Sequence, residues 1–474
     1  MSVNHGVNAQ RKATSVSGTV TASSGIIFAV GTAPVQAVNG KCNEVIMANT
    51  YEEAVEALGY SDDFKSFGLC EVMYTAFRLY KVAPVFFVNV LDPTKHNREV
   101  RPVEMTVTDN QIKLPYEAIA STVTVSDKVV GTDYEVFYTD SNCIVEFLKT
   151  TEKATVGYSV VDTSMLNADD VIGGFSVETK KTTGLELIDS VFPKYTYAPD
   201  LIVCPNWSYN AQVAAVMAAK AENINNVFEA MAIIDLDASE GTGSTYYTEA
   251  PQQKKAKNFS KPEEIVCFPK LALGDKVFNY SSHLAASMAL VDNTEDYGGG
   301  TPCESASNKS LQADRTVLYD GTEVLLDVTK ANYLNDNGIV TALNFYNGFV
   351  SWGNTTACFP SNTDPVDYFY SVNRMFKYVG KTLIMSYWNT VDRKITRLLI
   401  DSIVQGVNDW LNALTAEGRL LGGRVEFNES ENSQTALMAG RASFHTYLTP
   451  PSPLQELDFT MEYDLSYLSA MLSE

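Results

Sequence analysis

The sequence predicts a mixed α/β (α+β) protein of several domains, and three observations carry that prediction. Apolar strand-like runs alternate with amphipathic helical stretches over residues 26–90 and again over 184–352, the pattern of helices packed in layers on a sheet. Between them, residues 97–177 change to short alternating strands broken by turn residues, which reads as a small β domain inserted into the α/β domain. Beyond Asp364-Pro365 come long helical stripes and then three strand-like runs. At 474 residues the chain has room for about three domains of roughly 150 residues each. The divisions are 21–96 with 178–360 for the α/β domain, 97–177 for the insertion and 361–474 for the carboxyl-terminal domain. Residues 1–20 and 454–464 are separate terminal arms.

Taken in order, residues 1–18 are polar and carry no helical stripe. They read either as a disordered terminus or as a thin strand around Ser15, Val16, Thr19 and Val20. No apolar segment follows the first basic residues, so a signal peptide is not expected. "IIFAVG" at 26–31 is a buried-strand run, and 45–48 is another. Thr50 stands at capping-box spacing from Glu53, with Gly59 as the stop. Residues 69–80 predict a second helix and 85–90 a continuous apolar strand, which Asp92-Pro93 ends. Inside the insertion, Ser126-Asp127 and Asp140-Ser141-Asn142 mark turns.

The alternation resumes at Gly184. Helices are expected over 185–192, 210–222 and 277–291, and strands over 201–204, 231–235, 265–268, 323–326, 338–345 and 349–352. Residues 293–311 form a Gly- and Ser-rich loop. Asp364-Pro365 suits a helix start, with Pro at the first helical position. That helix presents Phe369, Val372, Phe376 and Val379 on one face.

The clearest helix runs from Trp388 through Val391, Ile395, Leu398, Leu399, Ile403, Val407, Trp410 and Leu411 to Leu414, one stripe at steps of three and four. Asn389 or Thr390 is the expected cap and Gly418 the stop. Three strands should follow. Val425 and Phe427 share a face of the first, and Phe444 and Thr446 a face of the second. In the third, Leu457, Phe459, Met461 and Tyr463 alternate strictly with Asp458, Thr460, Glu462 and Asp464. Pro450, Pro451 and Pro453 make the connector stiff and extended rather than a hairpin turn. The third strand is therefore placed to pair with another copy.

Composition excludes several classes. A formal net charge of −22 lacks the basic footprint of a nucleic-acid binder. No stretch of about 18 apolar residues exists, so no membrane span is expected. The seven cysteines are scattered without a CxxC and several lie in apolar runs, as buried reduced thiols do. His5, His96, His283 and His445 are far apart and none has ligand spacing. Gly380-Lys381-Thr382 lacks the leading Gly of a phosphate loop, because Met375 holds that place. Gly298-Gly299-Gly300 lacks the third Gly of a dinucleotide fingerprint, because Cys303 stands there. "DLDASEG" at 235–241 fails the calcium-loop spacing. No catalytic, cofactor or metal site is expected. In an acidic chain, Arg374, Lys377, Lys381, Arg393, Lys394 and Arg397 stand out. They read either as a solvated helix face or as a docking surface for an acidic partner.

The run "GGRVEFNESENSQTALMAGRASFHTYLTPPSPLQELDFTMEYDL" resembles the carboxyl-terminal domain of contractile tail sheath proteins. So do "TSVSGTVTASSGIIFAVGTAPV", "LYKVAPVFFVNVLDP", "PCESASNK" and "SVNRMFKYV", and the resemblance extends over nearly the whole chain. It implies a structural subunit of a phage tail, phage-tail-like bacteriocin or injection machine, assembled in the host cytoplasm. Such subunits stack as hexameric rings around an inner tube, between a baseplate and a tail terminator, and contract to drive the tube through an envelope. It further implies an insertion on the outer surface and terminal arms that complete neighbours' sheets. The acceptor sheet would contain Val425, Phe427, Phe444 and Thr446, and the basic residues would face the tube. The rival classes are an α/β hydrolase or transferase and a surface-layer protein.

Overall fold

The computed structural model describes residues 23–139, 141–346 and 348–471. The strand expected around Ser15, Val16, Thr19 and Val20 lies outside these residues.

Ile27–Gly31 (β1) is buried along its whole length. It is followed by Val45–Ala48 (β2) and Tyr51–Leu58 (α1). Thr50 Oγ1 accepts the Glu53 amide at 3.2 Å, and the Glu53 carboxylate reaches back to the Asn49 amide at 2.8 Å. The expected cap is thus present, with its return bond one residue earlier. Gly68–Met73 (α2) passes into a π-turn over Tyr74–Leu79, so the single helix expected there has two registers. The Tyr80 amide bonds to the Thr75 carbonyl, five residues back. Val85–Asn89 (β3) is again fully buried.

Asn97–Thr106 (β4), Gln111–Pro115 (β5), Thr124–Val125 (β6), Tyr134–Tyr138 (β7), Asn142–Phe147 (β8) and Lys153–Val161 (β9) form two three-stranded sheets. Their inward residues, among them Ile112, Leu114, Val145, Phe147 and Val156, make a core of their own. The chain leaves through Ala168–Ile172 (α3) and a small hairpin of Gly174–Ser176 (β10) and Lys181–Thr183 (β11). At its base Gly173 has φ 69°, and a Cβ there would lie 1.9 Å from the Thr183 carbonyl oxygen. Only glycine fits that crossing.

The helix expected over 185–192 is a 3₁₀ segment, Gly184–Ser190, that continues into Val191–Tyr195 (α4). Leu201–Val203 (β12), Ala211–Glu222 (α5), Met231–Asp235 (β13), Ala250–Ala256 (α6) and Glu264–Cys267 (β14) follow. Next come Lys270–Leu273 (β15), Lys276–Phe278 (β16) and Tyr280–Asn293 (α7). The start of α7 is three residues later than expected because Val277 pairs with Ala272 across the β15–β16 hairpin. Arg315–Val317 (β17) pairs with β15, whereas the strand expected over 323–326 amounts to one bridge between Val317 and Glu323. Val328–Asn335 (α8), Ile339–Asn344 (β18) and Phe349–Trp352 (β19) complete this part.

These strands make one eight-stranded sheet, ordered β19-β18-β14-β13-β12-β1-β3-β2. The six inner strands are parallel, and the edges β2 and β19 are antiparallel to their neighbours. Alternate residues serve opposite faces. Ile27, Ala29, Phe87 and Ile233 face the α7 side with Tyr280 and Leu284. Phe28, Val30, Phe86 and Ile202 face the α5 side with Leu185 and Val213.

Pro365–Tyr368 (α9) starts at Asp364, whose carboxylate accepts the Val366 amide. Extended backbone at Phe369 separates it from Tyr370–Tyr387 (α10). The long helix expected from Trp388 begins instead at Arg397–Ala416 (α11). Neither Asn389 nor Thr390 starts it: Asp392 has φ 68°, which breaks the chain, and Thr396 accepts the Leu399 amide as the true cap. Gly422–Glu426 (β20), Gln434–Met438 (α12), His445–Thr449 (β21) and Ser466–Met471 (α13) complete the described chain. Met375, Tyr378 and Val379 of α10 pack with Val407, Leu411 and Leu414 of α11 and with Val425 of β20.

Candidate assembly surfaces and their supports

α10 lies across the starting ends of the parallel strands, and its cations hold it there. Arg374 makes a two-pronged pair with Asp292, with Nη1 to Oδ1 at 3.1 Å and Nη2 against Oδ2. Ser24 donates to the same carboxylate at 2.7 Å. Burial works against the Arg374 charge, but Asp292 more than offsets it and holds the guanidinium above its ordinary pKa. Lys381 Nζ pairs with Asp200 and donates to the Ser23 carbonyl at 2.7 Å. Asp200 in turn accepts the Ile26 amide at 3.1 Å. Lys377 Nζ donates to the Ala230 carbonyl at 2.7 Å, and burial lowers its pKa. These three are therefore not free to face a partner. Arg374 and Lys381 are buried in internal ion pairs, and the Lys377 ammonium satisfies a strand end. The reason is positional: the face of α10 that carries them is the face that packs on the sheet.

Arg393, Lys394 and Arg397 are exposed. Arg393 and Lys394 lie in the linker that displaced the helix start and Arg397 opens α11, beside exposed Trp388, Val391, Ile395 and Leu398. Arg397 pairs with Asp401 one turn on, at 3.0 Å. Apolar side chains that the stripe assigned to a core therefore stand in solvent next to a cationic cluster.

β20 and β21 form a two-stranded antiparallel sheet with Val425 opposite Thr446. Val425 is buried, and its amide and carbonyl both bond to the Asn408 side chain, at 2.8 and 3.1 Å. The β20 edge proposed by the sequence is closed at that residue. Phe427 lies beyond the end of β20, with its ring 5.4 Å from that of Phe444. The second strand is shorter than expected because Asn432 takes both the amide and the carbonyl of Ser443, at 2.7 and 2.8 Å.

Residues 450–464 make no strand in the described chain. Pro450 is buried, and Gln455 donates to Asn354 at 2.7 Å. Pro451–Leu457 borders a groove of ≈ 900 Å³ with Ser307, Lys309, Asn335 and Trp352. Beyond it Leu457, Phe459, Met461 and Tyr463 are 64, 79, 94 and 76% exposed. An alternating apolar face thus leaves the molecule uncovered.

One polar cluster resembles a site by composition. At the ends of β13 and β14, Asp235 accepts from Ser208 and Ser281, Glu71 accepts twice from Asn279, and Lys270 pairs with Asn279. Its members satisfy one another in the interior. Burial pushes Glu71 up to about 8, against the pull of Lys270. The folded chain therefore takes up a proton at Glu71 between the free-carboxyl value of 4.5 and about 8. Stability from this group is full below 4.5 and declines as pH rises to about 8. Glu71→Gln should flatten that decline, so its stability relative to the unmodified chain should improve steadily from pH 5 to 8 in urea titrations. Among the described residues, no group of three or more His, Cys, Asp or Glu is arranged to hold a metal, and no helix is long and apolar enough to cross a membrane.

No family model matches this sequence. Over 485 aligned residues it is 26% identical to the tail sheath protein of Burkholderia phage BcepMu, covering 98% of this chain and 97% of that one. This chain resembles contractile tail sheath proteins over nearly its whole length. A putative prophage major tail sheath protein of Pseudomonas aeruginosa (strain UCBPP-PA14) is 26% identical over 67% of this chain and 78% of its own. The tail sheath protein of Escherichia phage P2 is 27% identical over 46% of this chain and 54% of its own. In fold, this chain matches the contracted sheath complex of an extracellular contractile injection system, PVC, with a TM-score of 0.60 at 12% identity over 98% of this chain and 99% of that one. It also matches the contracted helical sheath of the anti-feeding prophage, with a TM-score of 0.58 at 12% identity over 98 and 100%.

Sequence reasoning missed the residues that support these surfaces: Asp200, Asp292, Asn408 and Asn432. None of the four left a signal, since Asn408 is one of several polar residues of α11, with Asp401, Gln405, Asp409 and Asn412.

Proposed function

We propose that this structural subunit polymerises through its terminal arms into stacked hexameric rings around an inner tube, and that contraction of the stack drives the tube through a target envelope. One observation carries the arm mechanism: a segment of alternating apolar residues, 457–463, stands uncovered at the end of a proline connector. A segment with that alternation can add as a strand to the sheet edge of another chain. Donor and acceptor are different surfaces, so the contact propagates into rings and helices instead of closing as a dimer. The particle is a phage tail or tail-like device, put together in the bacterial cytoplasm between a baseplate and a terminator. The insertion of β4 to β9 faces outward. The free energy of contraction is stored at assembly, and no catalytic step is assigned to the chain.

Negative-stain microscopy of the purified chain at rising concentration tests this. Tubes with helical striation are expected; flat lattices, or monomers at every concentration, would overturn it. The tube contact we assign to Arg393, Lys394 and Arg397, with Trp388, Val391 and Leu398 around them. The combined change Arg393→Glu, Lys394→Glu, Arg397→Glu should leave sheath self-assembly intact and abolish co-sedimentation with the tube protein. Raising salt should weaken the unmodified contact in the same direction, because exposed charges are screened.

A further inference from the structure

We infer that the groove between α8, the end of β19 and the connector is a binding site for a neutral oligosaccharide, with Trp352 as the surface on which a sugar ring stacks. Such a site belongs to a single subunit and does not depend on the assembly proposed above.

The groove measures ≈ 900 Å³, within the range of sites that enclose a small organic molecule and large enough for more than one pyranose ring. Its walls are tied to one another by the fold. The Gly353 amide, just past β19, donates to Ser307 Oγ at 3.0 Å. The Asn308 amide reaches the Ser351 carbonyl at 2.6 Å, and the Ser351 amide reaches the Lys309 carbonyl at 3.0 Å. These bonds hold the loop 304–309 alongside β19. From α8, Asn332 Oδ1 accepts Trp352 Nε1 at 2.9 Å, which fixes the indole by its edge. The connector supplies the remaining wall, residues 451–457, fastened by Gln455 to Asn354. A ligand that enters walls already ordered forfeits little conformational entropy.

The chemistry of the lining selects among ligand classes. An anion needs a free cation. Lys309, the lining cation among the described residues, pairs with Glu304 at 2.9 Å and stands 4.1 Å from the Tyr297 ring centre. A wholly apolar ligand would strip water from amides and carboxylates and return nothing to them. An organic cation would suit Asp336 and Glu456, but the amides of Asn308, Asn332, Asn335 and Asn354 outnumber those two carboxylates. A sugar matches both halves of the lining. One face of its ring presents carbon-bound hydrogens, which settle on the electron-rich face of an aromatic ring. Its hydroxyls donate and accept at once, as an amide side chain does, and they donate to a carboxylate. Two such groups are at hand: the side chains of Asn308 and Asp336 are exposed and make no hydrogen bond or ion pair among the described residues.

The test is isothermal titration of the full-length chain, below its assembly concentration, with maltotriose, cellotriose and triacetylchitotriose in separate runs, and with spermidine. At least one trisaccharide should bind with a millimolar or tighter Kd. Trp352→Ala should weaken that sugar by about tenfold or more, and Trp352→Phe, which keeps an aromatic face, by less. Asp336→Ala changes an exposed side chain that holds nothing in the fold. It should weaken the sugar by about threefold or more at an unchanged Tm, and it decides the matter if the Trp352 variants do not fold. No binding of any of the three sugars up to about 10 mM, an affinity unmoved by Trp352→Ala and Asp336→Ala, or binding of spermidine and of no sugar overturns the inference. Tube formation is read separately in the microscope without sugar, so its failure sinks the assembly reading and leaves this result standing.

Discussion

Deleting residues 454–464 should abolish tube formation while leaving a monomer that melts within about 2 °C of the full-length chain. None of the apolar residues of this segment belongs to any core cluster of the described chain. Its removal exposes little: the side chains lost are already in solvent, and the hydrogen bonds they make to the rest of the described residues are that of Gln455 with Asn354 and that of Asp464 with the Ser466 amide of the exposed terminal helix. Surface changes of that kind stay within about 0.5 kcal/mol. Assembly, by contrast, would lose a strand for every subunit contact. Circular dichroism and thermal melts report the first half of the result, and electron microscopy the second. Tubes from the truncated chain would remove the arm from the mechanism. Pro450 must be kept, because it is buried against the domain.

Arg374→Met should destabilise the chain by about 3–5 kcal/mol, since it leaves Asp292 charged and unpaired in the interior. Asp292 is fully buried and Arg374 is 4% exposed. Asp292 also holds Ser24, so the start of the described chain should loosen too and be cut sooner by protease. Removing both partners, Arg374→Met with Asp292→Leu, should recover most of the global loss, because an apolar pair of similar size carries no desolvation cost. Guanidinium titrations of the three chains check both statements. A loss below about 1 kcal/mol for the single change would mean that water reaches Asp292.

The α/β layer was legible because its strands are buried on both faces. β13 and β19 fall on the expected residues, and β1, β3, β12, β14 and β18 differ by a residue or two at their ends. Continuous apolar runs such as "IIFAVG" have few other uses. β15, β16 and β17 were illegible because short half-exposed hairpins carry no long pattern. The stripe from Trp388 misled for a definite reason. Period alone cannot distinguish apolar residues bound for a core from those left for a partner, and the left-handed turn at Asp392 has no signature in a single sequence. The same limit applied to the cations. Arg374, Lys377 and Lys381 recur at helical spacing exactly as a wet face would, and only the position of α10 on the strand ends shows that they are internal ties. The strict alternation over 457–463 and the lack of a tight turn before it are plain in the sequence, but the described chain forms no strand there. The closing of β20 by Asn408 joins residues seventeen apart through one side chain, a relation that only the packing of α11 creates.

The connector between Pro450 and Leu457 has a mechanical meaning. It is a leash of seven residue steps, with a contour of about 23 Å at ~3.3 Å per residue. Its prolines keep it near that length, and the tie at Asn354 shortens the slack to the last two steps. In the arm mechanism proposed above, linked copies that slide past one another by less than this would remain joined throughout. A longer stroke has to unfasten Gln455 first, so one amide contact sets the travel available before the leash goes taut.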